Sequence, residues 1–184
     1  NGLIILSEEE LSEKVPVYYS MLLEEKQKLQ SRTSISSENW WALSRHRAWQ
    51  IEKTKKIVST EFGSSKSFAV DIEGKYNIER GYAWIPKKSF SNDDYYFYLA
   101  VFSSSFFDKL LSIYSKQLAG ANNYYDLGNK YTKDIPIPNI FNEKIKSSNA
   151  YILLKDIGHA IANEKPYSTN LLNSTIEEYF YNYD

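Results

Sequence analysis

Cysteine is absent from the 184 residues. That excludes disulfides, thiolate zinc sites and cysteine nucleophiles together, and it fits a reducing compartment. No run reaches the roughly 18 apolar residues of a membrane span, and the N-terminus lacks a signal-peptide pattern. The expectation is a soluble cytoplasmic protein with no membrane partner. Histidine is almost as scarce: His46 and His159 stand at metal-ligand spacing neither from each other nor from a suitable carboxylate. The seven glycines are scattered and build no phosphate-binding loop.

Catalytic groupings are missing too. Ser103-Ser104-Ser105 falls in a helical stretch without the glycines of a nucleophile elbow, so tight helix packing is its better reading. Asp93-Asp94 and Glu177-Glu178 fall at expected helix starts or solvated faces. His159 lies in a helical pattern beside Ile157 and Ile161 and reads as a capped or half-buried structural residue. The chain is therefore not expected to be an enzyme on its own, nor to hold a metal or cofactor.

What is abundant is aromatic surface and unevenly placed charge. Aromatic residues make up 16% of the chain, most of them among its 16 tyrosines, and tyrosine joins a flat contact area to a polar tip. Formal net charge is −1, which is not the strongly basic balance common in free-standing DNA binders. From Ser37 to Phe90, however, ten basic residues face six acidic ones, a local excess of four. Within that stretch Trp40, Trp41, Arg45, Arg47, Trp49, Lys53, Lys55 and Lys56 interleave planar rings with cations. Arginine can fork onto guanine edges or phosphates, and lysine neutralises backbone charge. Lysines on a solvated edge strand would show the same pattern, and Trp41 is assigned to the core. For His46, between two arginines, a phosphate contact and a solvated loop are equally open. The first residue, Asn1, is not Met, which gives the expectation of a fragment of a longer chain.

The order of elements reads as helix, then strands, then helices, an α+β (mixed α/β) class with a small twisted sheet flanked by helices. Ser7 followed by Glu10 is a capping box. Pro16 restarts the helix, and Val17 to Arg32 forms one amphipathic arm. Strands are expected at Trp41–Leu43, Lys56–Ser59, Phe68–Ile72 and Tyr82–Ile85, with Glu73-Gly74-Lys75 closing a hairpin. A helix capped by Asn92 or Asp93 carries Tyr95, Tyr98, Leu99, Phe102 and Phe106 on one stripe, and its extension carries Leu110, Leu111 and Tyr114. Ser115 to Thr132 is an exposed loop with at most a short strand. Ile135-Pro136-Ile137-Pro138 is extended, because each proline excludes the α region from the residue before it. Two more helices are expected near Ala150–Asn163 and Thr169–Tyr183. The domain boundaries that follow are a helical lead-in arm at 1–36, a mixed α/β core at 37–140 and a C-terminal helical segment packing on it at 141–184.

This succession of motifs resembles the C-terminal specificity, or target-recognition, domain of TaqI-like adenine-specific DNA methyltransferases, found also in type IIG restriction enzymes and more distantly in type I specificity subunits. The family's helical lead-in has its counterparts in Pro16, Tyr18-Tyr19, Leu22 and Leu29-Gln30-Ser31-Arg32. Its Trp-containing stretch and Lys-Ile-Val strand correspond to Trp41-Ala42-Leu43, Arg45, Arg47 and Lys56-Ile57-Val58. Phe68 to Gly74 corresponds to the strand that ends near Asp and Gly. Val101-Phe102-Ser103-Ser104-Ser105-Phe106 stands for its Leu-Asn-Ser helix, with serine at 104, and Ile135-Pro136-Ile137-Pro138 for its Leu-Pro-Ile-Pro element. Ile176, Tyr179, Phe180 and Tyr183 resemble its closing helix.

The resemblance implies sequence-specific recognition of double-stranded DNA within a restriction-modification adenine methyltransferase, with or without a fused endonuclease, in a bacterial or archaeal cytoplasm. The family's Asn-Pro-Pro-Tyr motif and cofactor loop belong to an upstream methyltransferase domain, so S-adenosylmethionine is expected there and not in this chain. On this reading Arg45, His46, Arg47, Lys55, Lys56, Lys75, Lys87 and Lys88 contact phosphates or base edges. Asn122, Asn123 and Tyr124 occupy the loop that reaches bases, since asparagine can pair bidentately with adenine. The competing expectation is a protein-interaction domain that docks a partner subunit without binding DNA.

Overall fold

A computed structural model describes residues 4–33, 35–43, 53–120 and 123–182. The chain forms two compact units, Asn1–Glu52 and Lys53–Asp184. Its class is mixed α+β, with helices around small antiparallel sheets of three and two strands. No helix among the described residues is long and apolar enough to cross a membrane.

The first unit is built from α1 (Glu8–Lys14), α2 (Pro16–Glu24) and α3 (Lys26–Gln30). Ser7 Oγ accepts from the Glu10 amide and Glu10 returns the bond to Ser7, the capping box visible in the sequence. Pro16 opens α2 at a position where the missing amide costs no hydrogen bond. The expected single arm from Val17 to Arg32 is instead two helices broken at Glu25. These helices wrap a tryptophan. Trp40 is 2% exposed, Tyr19 packs on it, and Lys26 Nζ lies 4.7 Å from its ring centre. The Arg32 guanidinium donates to the Trp40 and Ala42 carbonyls, and Trp41 Nε1 donates to the Leu6 carbonyl at 3.0 Å. Trp41–Leu43 is therefore not a strand. Trp40, not Trp41, is the buried residue, and these contacts tie both tryptophans to the helices before them.

The second unit is organised around the short strand β1 (Lys56–Ser59), followed by β2 (Phe62–Gly63), β3 (Phe68–Asp71) and β4 (Tyr82–Trp84). β1 lies in the middle, antiparallel to both β3 and β4. With β1 between β3 and β4, the turn at Gly74 does not close the hairpin that the spacing predicts. β2 pairs instead with β5 (Tyr125–Asp126). Side chains alternate along each strand, so Ile57, Val70 and Trp84 share one face, and Val58, Ala69 and Ala83 share the other.

The first of those faces packs on α4 (Asn92–Phe102), where Phe68 and Trp84 both meet Phe102. Ser91, one residue before the expected caps, is the N-cap, with Asp94 as its reciprocal partner. From Asp94 to Phe102 only Tyr96 is not buried, so α4 is the unit's central rod and not an amphipathic surface helix. The helix does not run on. It stops at Ser103, and Ser104 caps a separate α5 (Ser105–Tyr114).

After β5 come two short helices, α6 (Asn129–Thr132) and α7 (Glu143–Lys146), then α8 (Asn149–Ala162) and α9 (Thr169–Asn182). Leu154, Leu172 and Ile176 from α8 and α9 join Phe97, Leu99, Phe107 and Leu111 in one core. Gly158 of α8 is what lets that helix approach α4 so closely. A Cβ there would stand 1.8 Å from the Tyr96 carbonyl oxygen. His159, exposed, rests against the Tyr96 ring and exchanges a hydrogen bond with Asn163.

Candidate functional site

A groove of about 710 Å³ runs over the outer face of the three-stranded sheet. Val58 and Ala69 form its apolar floor, Lys66 and Ser67 stand on one side, and Tyr76 to Arg80 on the other. Ile78 is buried and anchors that second wall, while Tyr76 remains 69% exposed.

The wall is held from below by Asp71. Its Oδ1 accepts from the Lys75 amide and its Oδ2 from the Tyr76 amide, both at 3.0 Å, and Oδ2 also accepts from Lys56 Nζ at 2.6 Å. Burial alone would raise the Asp71 carboxyl, but the bonds from Lys56, Tyr76 and Lys75 outweigh it and hold the group below its usual range. Gly74 completes the anchor. Its φ of +64° suits glycine, and a Cβ would come within 2.5 Å of the Lys53 carbonyl carbon.

Register decides which cations share an end of the sheet. Ser59, the last residue of β1, pairs with Phe68 on one side and Tyr82 on the other. Lys66 precedes Phe68 and Arg80 precedes Tyr82 by two residues each, so both flank this end. Both are exposed, and neither forms an ion pair among the described residues. The Asn123–Tyr124 turn precedes Tyr125, which pairs with Gly63 four residues beyond the end of β1. It tips a small hairpin in which the Leu118 amide donates to the Tyr124 carbonyl at 2.7 Å and Gln117 bridges Tyr125. Asn123 has a φ of 58°, a left-handed conformation that asparagine tolerates better than most residues, and both Asn123 and Tyr124 are exposed.

The other expected site residues divide differently. Lys56 is not a surface cation: it and Asp71 form a buried pair directly across β1 and β3, so it cannot reach a phosphate. Lys55 is exposed at the start of β1, the end opposite the hairpin, and its Nζ donates to Asn92 Oδ1 at 2.8 Å. Lys75, beyond the Asp71 end of β3, is exposed but contacts Glu73, whose hydrogen bond and charge raise its pKa. Lys87 and Lys88 follow β4 on the Lys55 side, and Lys88 Nζ lies 4.7 Å from the Phe141 ring centre. Arg45, His46, Arg47 and Asn122 lie outside the described residues. Among the described residues, the expected cations Lys55, Lys75, Lys87 and Lys88 therefore lie toward the other end of the sheet from Ser59. Lys66 and Arg80, part of the basic excess between Ser37 and Phe90 but not among the expected contacts, are the exposed cations at the Ser59 end.

A second depression, about 160 Å³, opens where β4 meets α4 and is lined by Ile57, Trp84, Pro86, Phe90 and Tyr98 among others. Burial pushes the Tyr98 phenol up to about 12, and its hydroxyl donates to the Pro138 carbonyl. Among the described residues no group of histidine or carboxylate side chains is arranged to hold a metal ion. No protein-family model matches the chain, and no curated protein matches it significantly.

Proposed function

We propose that this chain is a sequence-specific recognition domain for double-stranded DNA, acting beside the methyltransferase domain of a restriction-modification enzyme. The reading rests first on the motif order that runs from Pro16 to the closing helix. The structural observation that carries it is that strand register brings Lys66 and Arg80 to the same end of β1, from which the chain leads into the strand paired with the one that follows the Asn123–Tyr124 turn. Exposed cations and an exposed polar turn supply the two things recognition needs, a grip on phosphates and side chains that can read base edges. The groove behind them has an apolar floor and the exposed ring of Tyr76, suited to lie along a sugar-phosphate strand.

The test is a titration against random duplex DNA over a range of salt. Lys66→Ala and Arg80→Ala should each weaken every sequence alike and reduce the log–log salt slope by about 0.9, the share of one phosphate contact. Affinity lost with an unchanged slope would remove these residues from the interface.

A second reading has its own observation. On α2 of the first unit Val17 is 76% exposed and Met21, one turn on, 61% exposed, a helix face suited to docking on protein. Failure of the chain to bind any duplex at low salt would favour that reading for the whole protein.

A further inference from the structure

We infer that the depression between β4 and α4 is a docking site for a partner-protein segment that presents one aromatic or branched aliphatic side chain flanked by carboxylates. The inference does not rest on the DNA reading, and it gives Lys55, Lys87 and Lys88, expected from the sequence to contact DNA, to a protein partner instead. The volume of about 160 Å³ sets the scale of the occupant. Sites for drug-sized ligands run to roughly 300–1,000 Å³, whereas roughly 150 Å³ holds a single benzene ring. One side chain fits; a cofactor does not.

The lining sets its polarity. Three of its residues carry polar tips, and the fold already uses all three. Trp84 Nε1 donates to Ser59 Oγ at 2.9 Å, the Tyr95 hydroxyl donates to the Lys55 carbonyl at 3.1 Å, and the Tyr98 hydroxyl donates to the Pro138 carbonyl. What faces the opening is ring and alkyl surface from Ile57, Pro86, Phe90 and Ile137. A nucleobase would bury edge donors and acceptors there without partners, at a penalty for each, while an apolar side chain loses nothing.

The rim sets its charge. Lys87 and Lys88 follow Pro86 directly, and Lys55 stands two residues before Ile57 with its ammonium on Asn92. None of the three has a carboxylate partner among the described residues. The acids nearest in the chain to Asn92, Asp93 and Asp94, are engaged by Lys155 and Lys146. An apolar seat whose lining residues are followed or preceded in the chain by three lysines without carboxylate partners complements an apolar residue between acidic ones, and the charges steer encounter and fix orientation.

The test uses the full chain, labelled with ¹⁵N, titrated with a capped pentapeptide of phenylalanine between two pairs of aspartates. The Trp84 indole resonance and the amides around Ile137 should shift and saturate with a dissociation constant on the order of millimolar. Serine in place of the phenylalanine should weaken binding at least about tenfold. Lys87→Glu should weaken the parent peptide several-fold without lowering the melting temperature, since that side chain is exposed. Absent shifts, or equal shifts with the serine peptide, overturn the inference. So does a short random duplex that moves the same resonances and competes with the peptide, because the depression would then belong to the nucleic-acid surface. Loss of DNA binding in the Lys66 and Arg80 variants leaves this result unaffected, so the two ideas fail separately.

Discussion

Lys56 and Asp71 stand directly opposite each other on β1 and β3, Nζ and Oδ2 2.6 Å apart, with both side chains almost wholly removed from solvent. The same carboxylate takes two backbone amides from the loop that walls the outer groove. One buried charge thus joins the sheet to the loop that carries Tyr76.

Removing either partner leaves the other charged and unpaired in a dry place. Lys56→Met should destabilise the protein by about 3–5 kcal/mol in urea unfolding, whereas joint replacement of Lys56 by Met and Asp71 by Leu should recover part of that loss. The double variant still loses the amide bonds at Lys75 and Tyr76, so Tyr76 should become more mobile even where stability returns. A single variant as stable as the parent would show that water reaches the pair.

Acid should expose the same dependence. Asp71 and Asp94 are both held below the ordinary aspartate value. In Asp94 burial raises the carboxyl, and bonds from Lys146, Tyr151 and Ser91 outweigh it. A depressed folded pKa means that the unfolded chain takes up the proton first as pH falls. The stability these groups contribute is therefore complete above about pH 3.9, the unfolded value, and is lost as pH drops through the lower folded values. Urea midpoints at pH 7 and pH 3 should differ by less in Asp94→Asn than in the parent, and the variant should already be weaker at pH 7. An equal difference would place the acid sensitivity elsewhere.

Gly158→Ala should behave against helix propensity. Alanine is the better helix former by about 1 kcal/mol, yet its Cβ would enter the Tyr96 carbonyl group, part of the α4 backbone, which cannot swing aside as a side chain can. A net loss of roughly 3 kcal/mol is expected. A raised melting temperature would mean that α4 and α8 have room to separate.

Local signals were the legible part of this fold. Ser7 and Glu10, Pro16, the Lys56–Ser59 strand and the extents of α8 and α9 all follow from residues near one another in sequence. Errors arose where distant contacts decided. Ser91, Asn92 and Asp93 are all competent caps, and the bond from Asp94 picks the first. The apolar stripe runs unbroken from Tyr95 to Phe106, so the stop at Ser103 was hidden. It depends on the Ser104 hydroxyl, which donates to the Val101 carbonyl and accepts from the Phe107 amide. Lys56 looked like one more surface cation because its partner is 15 residues away and only strand register reveals it. Lys66 and Arg80 stand out for the same reason only in the structure, since separate strands carry them to one end of the sheet.

Recognition of DNA sequence is best tested by selection from a pool of duplexes with a randomised centre, using this chain at moderate salt. A single short motif should be enriched over successive rounds, and Asn123→Ala should relax the preference at one or more of its positions while leaving non-specific affinity nearly intact. Recovery of the input distribution, with or without salt-sensitive binding, would contradict a recognition role.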